Sequence, residues 1–400
     1  NNSKEDAVDK TVLAETAIAL WLLHSDRSNP QKDDILRYAK TDLPAGALAK
    51  EGDFNSAREI IFEELGKIER LQEVYDCIEK PLIPIVKQMN QDGVYLDVKY
   101  LKKLQEEYQS ELDIIETRIF KSAGHEFNVS SPKQLAVVLF DELKLILPKQ
   151  KKTPGGARTT REDELEKMTE LHPIIADVLA YRELSKLLST YIEKMPSMVA
   201  SDGRLHAEFL QAGTTTGRIA SQNPNLQNIP IKSDYGRRVR SAFRAETGNL
   251  LIALDYSQIE LRIAAGLSGD KKLLKVFREK GDVHTAVASQ VFGVPSDKVD
   301  YEMRRRAKVI NFGILYGMGV NALKSNLGAN ISREESAKFL SEYFKNFAGL
   351  AMWIEKTKLE TARRGFTETL FGRRRYFSGF KSTFPGLRAQ AERMAVNAPI

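Results

Sequence analysis

A carboxylate that closes an apolar run is the first residue in this sequence that could do chemistry. Residues 250–254 read Leu-Leu-Ile-Ala-Leu, and Asp255-Tyr-Ser-Gln-Ile-Glu260-Leu-Arg262 follows. The apolar run is short enough to predict a buried strand. An ionised carboxylate is costly in apolar surroundings unless something compensates it. At the end of such a strand it can emerge into a cleft and ligate a hard divalent cation. Mg2+ suits that position, because it keeps waters and shares the phosphate oxygens of a substrate. A metal so held can activate a hydroxyl nucleophile and neutralise charge on a phosphoryl group in transit. The same residues also fit a capping box, with Ser257 as N-cap and Glu260 reaching back to the start of the helix. In that case Asp255 merely helps to orient the turn.

A second segment, Arg304-Arg-Arg-Ala-Lys308-Val-Ile-Asn-Phe312-Gly-Ile-Leu-Tyr316-Gly317, repeats a functional type every four residues. On a helix Arg304, Lys308, Phe312 and Tyr316 form one slowly rotating stripe, cationic in its first half and aromatic in its second. A nucleoside triphosphate has the same polarity, with phosphates at one end and a flat base at the other. Gly313 and Gly317 would lower the bulk beside the rings and let a ligand approach. An amphipathic helix with exposed arginines and core aromatics accounts for the same pattern. No GxxxxGK[ST] occurs, so a phosphate-cradling loop of that kind is excluded.

The elements that must position these residues are mostly helical. The 400 residues exceed one ordinary core and predict two to four domains or subdomains. Residues 1–78 read as helices, with a loop around Pro44, Gly46 and Gly52. A turn at Asp92-Gly93 precedes Val94-Tyr-Leu96, and Asp97 is the expected N-cap of a helix over 98–123. Ser131 and Pro132 open another helix. A basic, glycine-containing loop over 149–158 follows, and helices resume from 162 to 194. Residues 205–210 suit a strand; after Tyr256 the pattern is helical to the end.

Sixty Lys and Arg stand against 54 Asp and Glu, a net charge of +6. Arg237, Arg238 and Arg240 cluster, as do Arg304 to Arg306, Arg363 with Arg364, and Arg373 to Arg375, all in the C-terminal half. A polyanion would bind there, although each cluster also reads as a solvated helix face. The single cysteine, Cys77, excludes an internal disulfide and is expected to pack between helices. No apolar run approaches the roughly 18 residues of a membrane helix, and no basic-then-apolar leader opens the sequence, which makes the cytoplasm the expected compartment.

Together the segments resemble the family A DNA polymerases. Asp255-Tyr-Ser-Gln-Ile-Glu260-Leu-Arg262 is similar to the family's first palm motif, and Arg304-x3-Lys308-x7-Tyr316-Gly317 to its fingers-helix motif. Three further matches follow the family's order: Thr214-Thr-Thr-Gly-Arg218 with Asn223-Pro-Asn-Leu-Gln-Asn-Ile-Pro230, Thr369-Leu-Phe-Gly-Arg-Arg-Arg375, and Ala391-Glu-Arg393-Met-Ala-Val-Asn397-Ala-Pro399. The resemblance covers roughly residues 80–400. It implies a helix-rich α+β fold in a right-hand polymerase architecture, preceded by a partial exonuclease-like domain. Its expected divisions are 1–78 for the exonuclease-like part, 79–204 for the thumb with its link to the palm, 205–270 for the first part of the palm, 271–385 for the fingers, and 386–400 for the returning palm segment. The implied activity is template-directed, metal-dependent addition of deoxynucleotides to a primer 3′-OH, in replication and repair, by a monomer at the nucleoid.

The resemblance also implies roles for single residues. Asp255 and the main-chain carbonyl of Tyr256 would hold catalytic Mg2+. Arg304, Lys308 and His284 would hold the triphosphate, although a lone histidine near a helix start otherwise reads as a satisfied surface residue. Phe312, Tyr316, Glu260 and Gln258 would contact the nucleotide, with Glu260 crowding its 2′ position. That crowding argues against a phage-type RNA polymerase. Arg218, Gln227, Asn228, Arg393 and Asn397 would touch primer or template, partly at the minor groove, whose degenerate acceptors let a base pair be checked by shape. Lys186, Ser189 and Thr190, with the 149–158 loop, would grip the duplex backbone; an ordinary solvated helix and loop is the competing account.

Two departures stand out. The family's later His-Asp-Glu palm segment, source of the second metal-binding carboxylate, is absent from the 400 residues, so a two-metal site would take that ligand from outside them. Near the N-terminus, Glu15 stands where the family's exonuclease has an aspartate, and Tyr38-x-x-x-Asp42 is out of register with its later tyrosine motif. No proofreading activity is therefore expected of residues 1–78.

Overall fold

The computed structural model describes residues 8–41, 54–147, 151, 153, 155, 156, 158–328 and 331–400. Asp42, the loop around Pro44, Gly46 and Gly52, and half of the 149–158 loop lie outside the described residues. Two compact units result. One comprises Lys87–Phe209 and Ser221–Ile252; the other comprises Asn1–Val86, Leu210–Ala220 and Ala253–Ile400.

The first unit is built on two helices, Val98–Ala123 and Pro173–Leu187. The spacing of Leu101, Leu104, Tyr108, Ile115 and Ile119 gives the longer helix one apolar stripe, and all five are buried. They meet Ile174, Ile175, Val178 and Leu184 of the shorter helix in a common core. Asp97 caps the long helix through the backbone N–H of Tyr100, and Gly124 ends it in the left-handed region at φ 84°. Ser131 caps the helix at Pro132 as expected. The strand Val94–Tyr95 pairs antiparallel with Arg204–Leu205.

The second unit holds two cores. The N-terminal core gathers Ile18, Leu20, Trp21 and Leu22 from the helix Lys10–Leu23 with Ile61 and Leu65 from Phe54–Gly66 and with Tyr75. Cys77 is exposed rather than packed. Tyr75 and Glu79, two residues to either side, occupy the buried face, and a helical step of two turns Cys77 outward. The larger core packs Leu261, Val287, Ile310, Tyr343, Phe347 and Leu350 from successive helices. Its helices start on side-chain caps at Asp270, Asp282, Asp300 and Ser332, the last in a full capping box with Glu335. Within the predicted helical stretch the chain instead forms a hairpin, with Phe366–Glu368 antiparallel to Arg374–Tyr376. Buried Glu79 joins that hairpin's turn to the N-terminal core: it pairs with Arg373 and accepts a bond of 2.5 Å from Nε2 of Gln211.

The strand expected over 250–254 does not form. Residues 250–254 have no ladder partner among the described residues, and Leu250, Leu251, Ile252 and Leu254 are 62–92 % exposed. A strand owes its stability to backbone pairing and to a covered face; with neither, apolar composition alone orders nothing.

Candidate active site

The basic-aromatic helix runs Tyr301–Leu315, capped by Asp300, with Tyr316 as its C-cap. Ala307, Ile310, Asn311 and Ile314 take the buried face. The stripe of Arg304, Lys308, Phe312 and Tyr316 is therefore left on the opposite, accessible side, with Phe312 half-buried. The rings of Phe312 and Tyr316 stand 6.4 Å apart and 17° from parallel. Arg304 donates from Nε to Asp282 at 2.5 Å.

Asp282 does two jobs: it caps the helix Val283–Phe292 through the backbone N–H of His284, and it anchors Arg304. Burial pushes its carboxyl up, but the bonds from Arg304, His284 and Thr285 outweigh burial and hold it below the usual range. Its signal in the sequence is an aspartate ahead of a helix, three residues before Thr285.

His284 is buried, not a surface residue. It faces the basic helix because the two helices pack together, and its ring lies 5.9 Å from that of Phe312. Burial pushes its pKa down; Arg304 and Lys308 push the same way, and Asp282 opposes them. The imidazole is therefore neutral at pH 7.

Glu260 lies in the first turn of the helix Ile259–Ser268. The capping box is not formed: the N-cap is Gln258, at φ 54°, with no side-chain capping bond. Glu260 accepts instead from the Tyr316 hydroxyl at 2.9 Å and from Arg218 at 3.3 Å. Burial and that bond to the carboxylate both raise the Tyr316 pKa, so the phenol stays protonated as the donor.

These three residues border a cavity of about 650 Å³, whose lining also includes Thr216, Gly217, Thr369, Arg373, Asn397 and Pro399. All five sequence motifs, up to 183 positions apart from Thr216 to Pro399, thus contribute to one wall. At Gly313 and Gly317 a side chain would meet the protein's own neighbours. A Cβ at Gly317, at φ 66°, would come within 2.5 Å of Arg393, and one at Gly313 within 3.1 Å of the Met318 sulfur. Arg393 is exposed, and packs over Gly317.

Other residues stand apart from that cavity. Asp255 and Tyr256 are exposed on the irregular segment that leads into the Ile259–Ser268 helix. A carboxylate and a carbonyl there are hard oxygen donors, the chemistry Mg2+ takes. In number they fall short, since among the described residues no group of three His, Cys, Asp or Glu is arranged to hold a metal. Gln227, Asn228, Lys186, Ser189 and Thr190 are exposed on the other unit. Glu15 pairs with Arg58 at 3.9 Å within the N-terminal core.

Tyr316 brings the end of the cationic and aromatic helix to that cavity, and comparison with known sequences shows which family the chain belongs to. Residues 98–400 match DNA polymerase family A, and the chain belongs to that family. It is 49 % identical over 334 residues to the thermostable DNA polymerase I of Thermus aquaticus, covering 83 % of this chain and 40 % of that protein. It is 39 % identical over 391 residues to the DNA polymerase I of Caldicellulosiruptor bescii, covering 96 % and 45 %. The chain thus spans less than half the length of these relatives. Among solved structures it is similar to the POL domain of Pol1 from M. smegmatis in complex with DNA primer-template and dNTP. That likeness has a TM-score of 0.85 and 36 % identity, covering 96 % of this chain and 68 % of the other. The expected helix-rich α+β fold of the family A polymerase type is borne out, and its sheets among the described residues are small. No helix among the described residues is long and apolar enough to cross a membrane.

Proposed function

We propose that the protein containing this chain adds deoxynucleotides to a primer 3′-OH as a template strand directs. The observation that carries the reading is the cavity to which all five polymerase-like motifs contribute, with Glu260, Tyr316 and Arg218 bonded to one another on its wall. Arg304 and Lys308 meet the triphosphate, joined by a hydrogen bond from neutral His284. Phe312 and Tyr316 offer their faces to the incoming pair. Glu260, held by Tyr316 and Arg218, fills the space a 2′-hydroxyl would need. Gln258, in its left-handed conformation at the helix start, contributes to the nucleotide's surroundings. Arg218, Arg393 and Asn397 contact primer or template, as do Gln227 and Asn228. Lys186, Ser189 and Thr190 hold the duplex backbone, since phosphate contacts supply most sequence-independent affinity.

Asp255 and the Tyr256 carbonyl would hold Mg2+, with a further carboxylate from outside these 400 residues completing a two-metal site. When bound, Mg2+ supplies Lewis-acid stabilisation of the phosphoryl group in transit. The subdomain divisions at 78/79, 204/205, 270/271 and 385/386, monomeric action and a cytoplasmic, nucleoid setting belong to the same proposal. Primer extension by the full-length protein tests it. Template-dependent addition of deoxynucleotides well above ribonucleotides is expected; equal use of both, or addition without a template, would refute it.

A further inference from the structure

Asn311 belongs to no polymerase role given above, yet it is the one fully buried polar side chain on the basic-aromatic helix among the described residues. Its amide Nδ2 lies 3.0 Å from Nδ1 of His284. Its Oδ1 is buried without a hydrogen-bond partner among the described residues. A core position on a helix is normally filled by an apolar side chain, and a buried polar group left half-satisfied has to be explained by what it does.

We propose that Asn311 is a positioning residue that fixes the tautomer of His284, leaving the proton on Nε2 as a hydrogen-bond donor toward the triphosphate. A neutral imidazole carries one donor and one acceptor nitrogen. With the Asn311 amide donating, Nδ1 is the acceptor and Nε2 bears the hydrogen. The opposite amide orientation would strand both hydrogens of Nδ2 where Oδ1 now lies unpaired, a worse outcome for a buried group. The surroundings make this tautomer matter. Burial, Arg304 and Lys308 keep His284 uncharged against the pull of Asp282, so it cannot offer two N–H donors at once. An uncharged histidine fixed as an Nδ1–H donor would present a lone pair to an anion and repel it. Asn311 therefore acts one step removed from the ligand, as the outer partner of a histidine commonly does.

The inference rests on the polymerase reading for its ligand, but its first test does not. In the full-length protein with 15N-labelled histidine, long-range 1H–15N correlation spectra, assigned by the His284→Gln variant, report which nitrogen is protonated. The Nε2–H pattern is expected; an Nδ1–H pattern or a charged ring at pH 7 overturns the proposal even if the protein extends primers. The second test is a double-mutant cycle read in primer extension. Asn311→Leu removes the amide that makes Nδ1 the acceptor, frees the tautomer, and is expected to raise the KM for dNTP by up to roughly tenfold, part of one lost bond to a charged group. In the His284→Gln background the same substitution should add little. An equal effect in both backgrounds means that Asn311 is packing alone. Absence of primer extension with the Nε2–H pattern intact would instead count against the polymerase reading.

Discussion

The two segments that carry most of the chemistry are equally plain in sequence and very differently built. Around the Tyr301–Leu315 helix several polar groups support the stripe: Asp300 caps, Asp282 anchors Arg304, Asn311 bonds His284. Among the described residues none gives residues 250–256 this support, and Leu254 and Tyr256 are 92 % and 79 % exposed. A helix completes its own backbone bonds and needs neighbours only for its buried face, which here come chiefly from the Val283–Phe292 helix. A strand needs a partner before it exists at all. Preorganisation of the cationic half is thus local, whereas the segment that carries the carboxylate has no ladder partner among the described residues.

That contrast is sharpest at Asp255. Asp255→Asn is expected to lower nucleotide addition by roughly a thousandfold or more, since a metal's charge stabilisation is worth several kcal/mol. Primer-template affinity, measured by anisotropy, should stay within a few-fold, because distributed basic contacts hold DNA. Near-normal turnover would mean that the exposed segment has no part in the chemistry. On the better-built side, Lys308→Ala should raise the KM for dNTP and lower kcat, with a combined loss on the order of a hundredfold, because the charge it meets grows during transfer. Unchanged kcat/KM would make the stripe a solvated face after all.

Phe312 gives a finer cut. A phenylalanine has no hydroxyl to replace the contact that a nucleotide's 3′-OH makes, so the wild type should discriminate against dideoxynucleotides. Phe312→Tyr should relax the kcat/KM ratio between deoxy and dideoxy substrates by on the order of ten- to a hundredfold, one hydrogen bond near a charged phosphate. Equal ratios in both proteins would assign Phe312 to packing against His284 and Tyr316.

What sequence could reveal follows the same division. Asp97, Ser131 and the span of the 98–123 helix were legible because caps and apolar periodicity are local signals. The five motifs were legible as strings, and the cavity joins them. Illegible were the features set by who packs on whom. A side chain at Gly313 or Gly317 would meet Met318 or Arg393, and nothing at those positions announces it. The bond between Asn311 and His284 spans 27 positions and joins two helices. The hairpin at Phe366–Glu368 depends on a turn within a stretch whose composition suits a helix. Residues 250–254 failed in the other direction, since an apolar run specifies burial only where something covers it.

Glu260 is where the account is most exposed, because three motifs meet at its carboxylate and a purely local explanation, the capping box, competed for the same residue. Its bonds run to Tyr316 and Arg218 instead. The direct measurement is the ratio of kcat/KM for deoxy- and ribonucleotides in primer extension, for the wild type and for Glu260→Ala. Removing the side chain opens the 2′ position, and discrimination against ribonucleotides should fall by about tenfold or more, the scale of a small steric difference in a pocket. Thermal stability should change little, since no helix cap is lost. Unaltered discrimination with a lowered melting temperature would contradict the account and return Glu260 to a structural role.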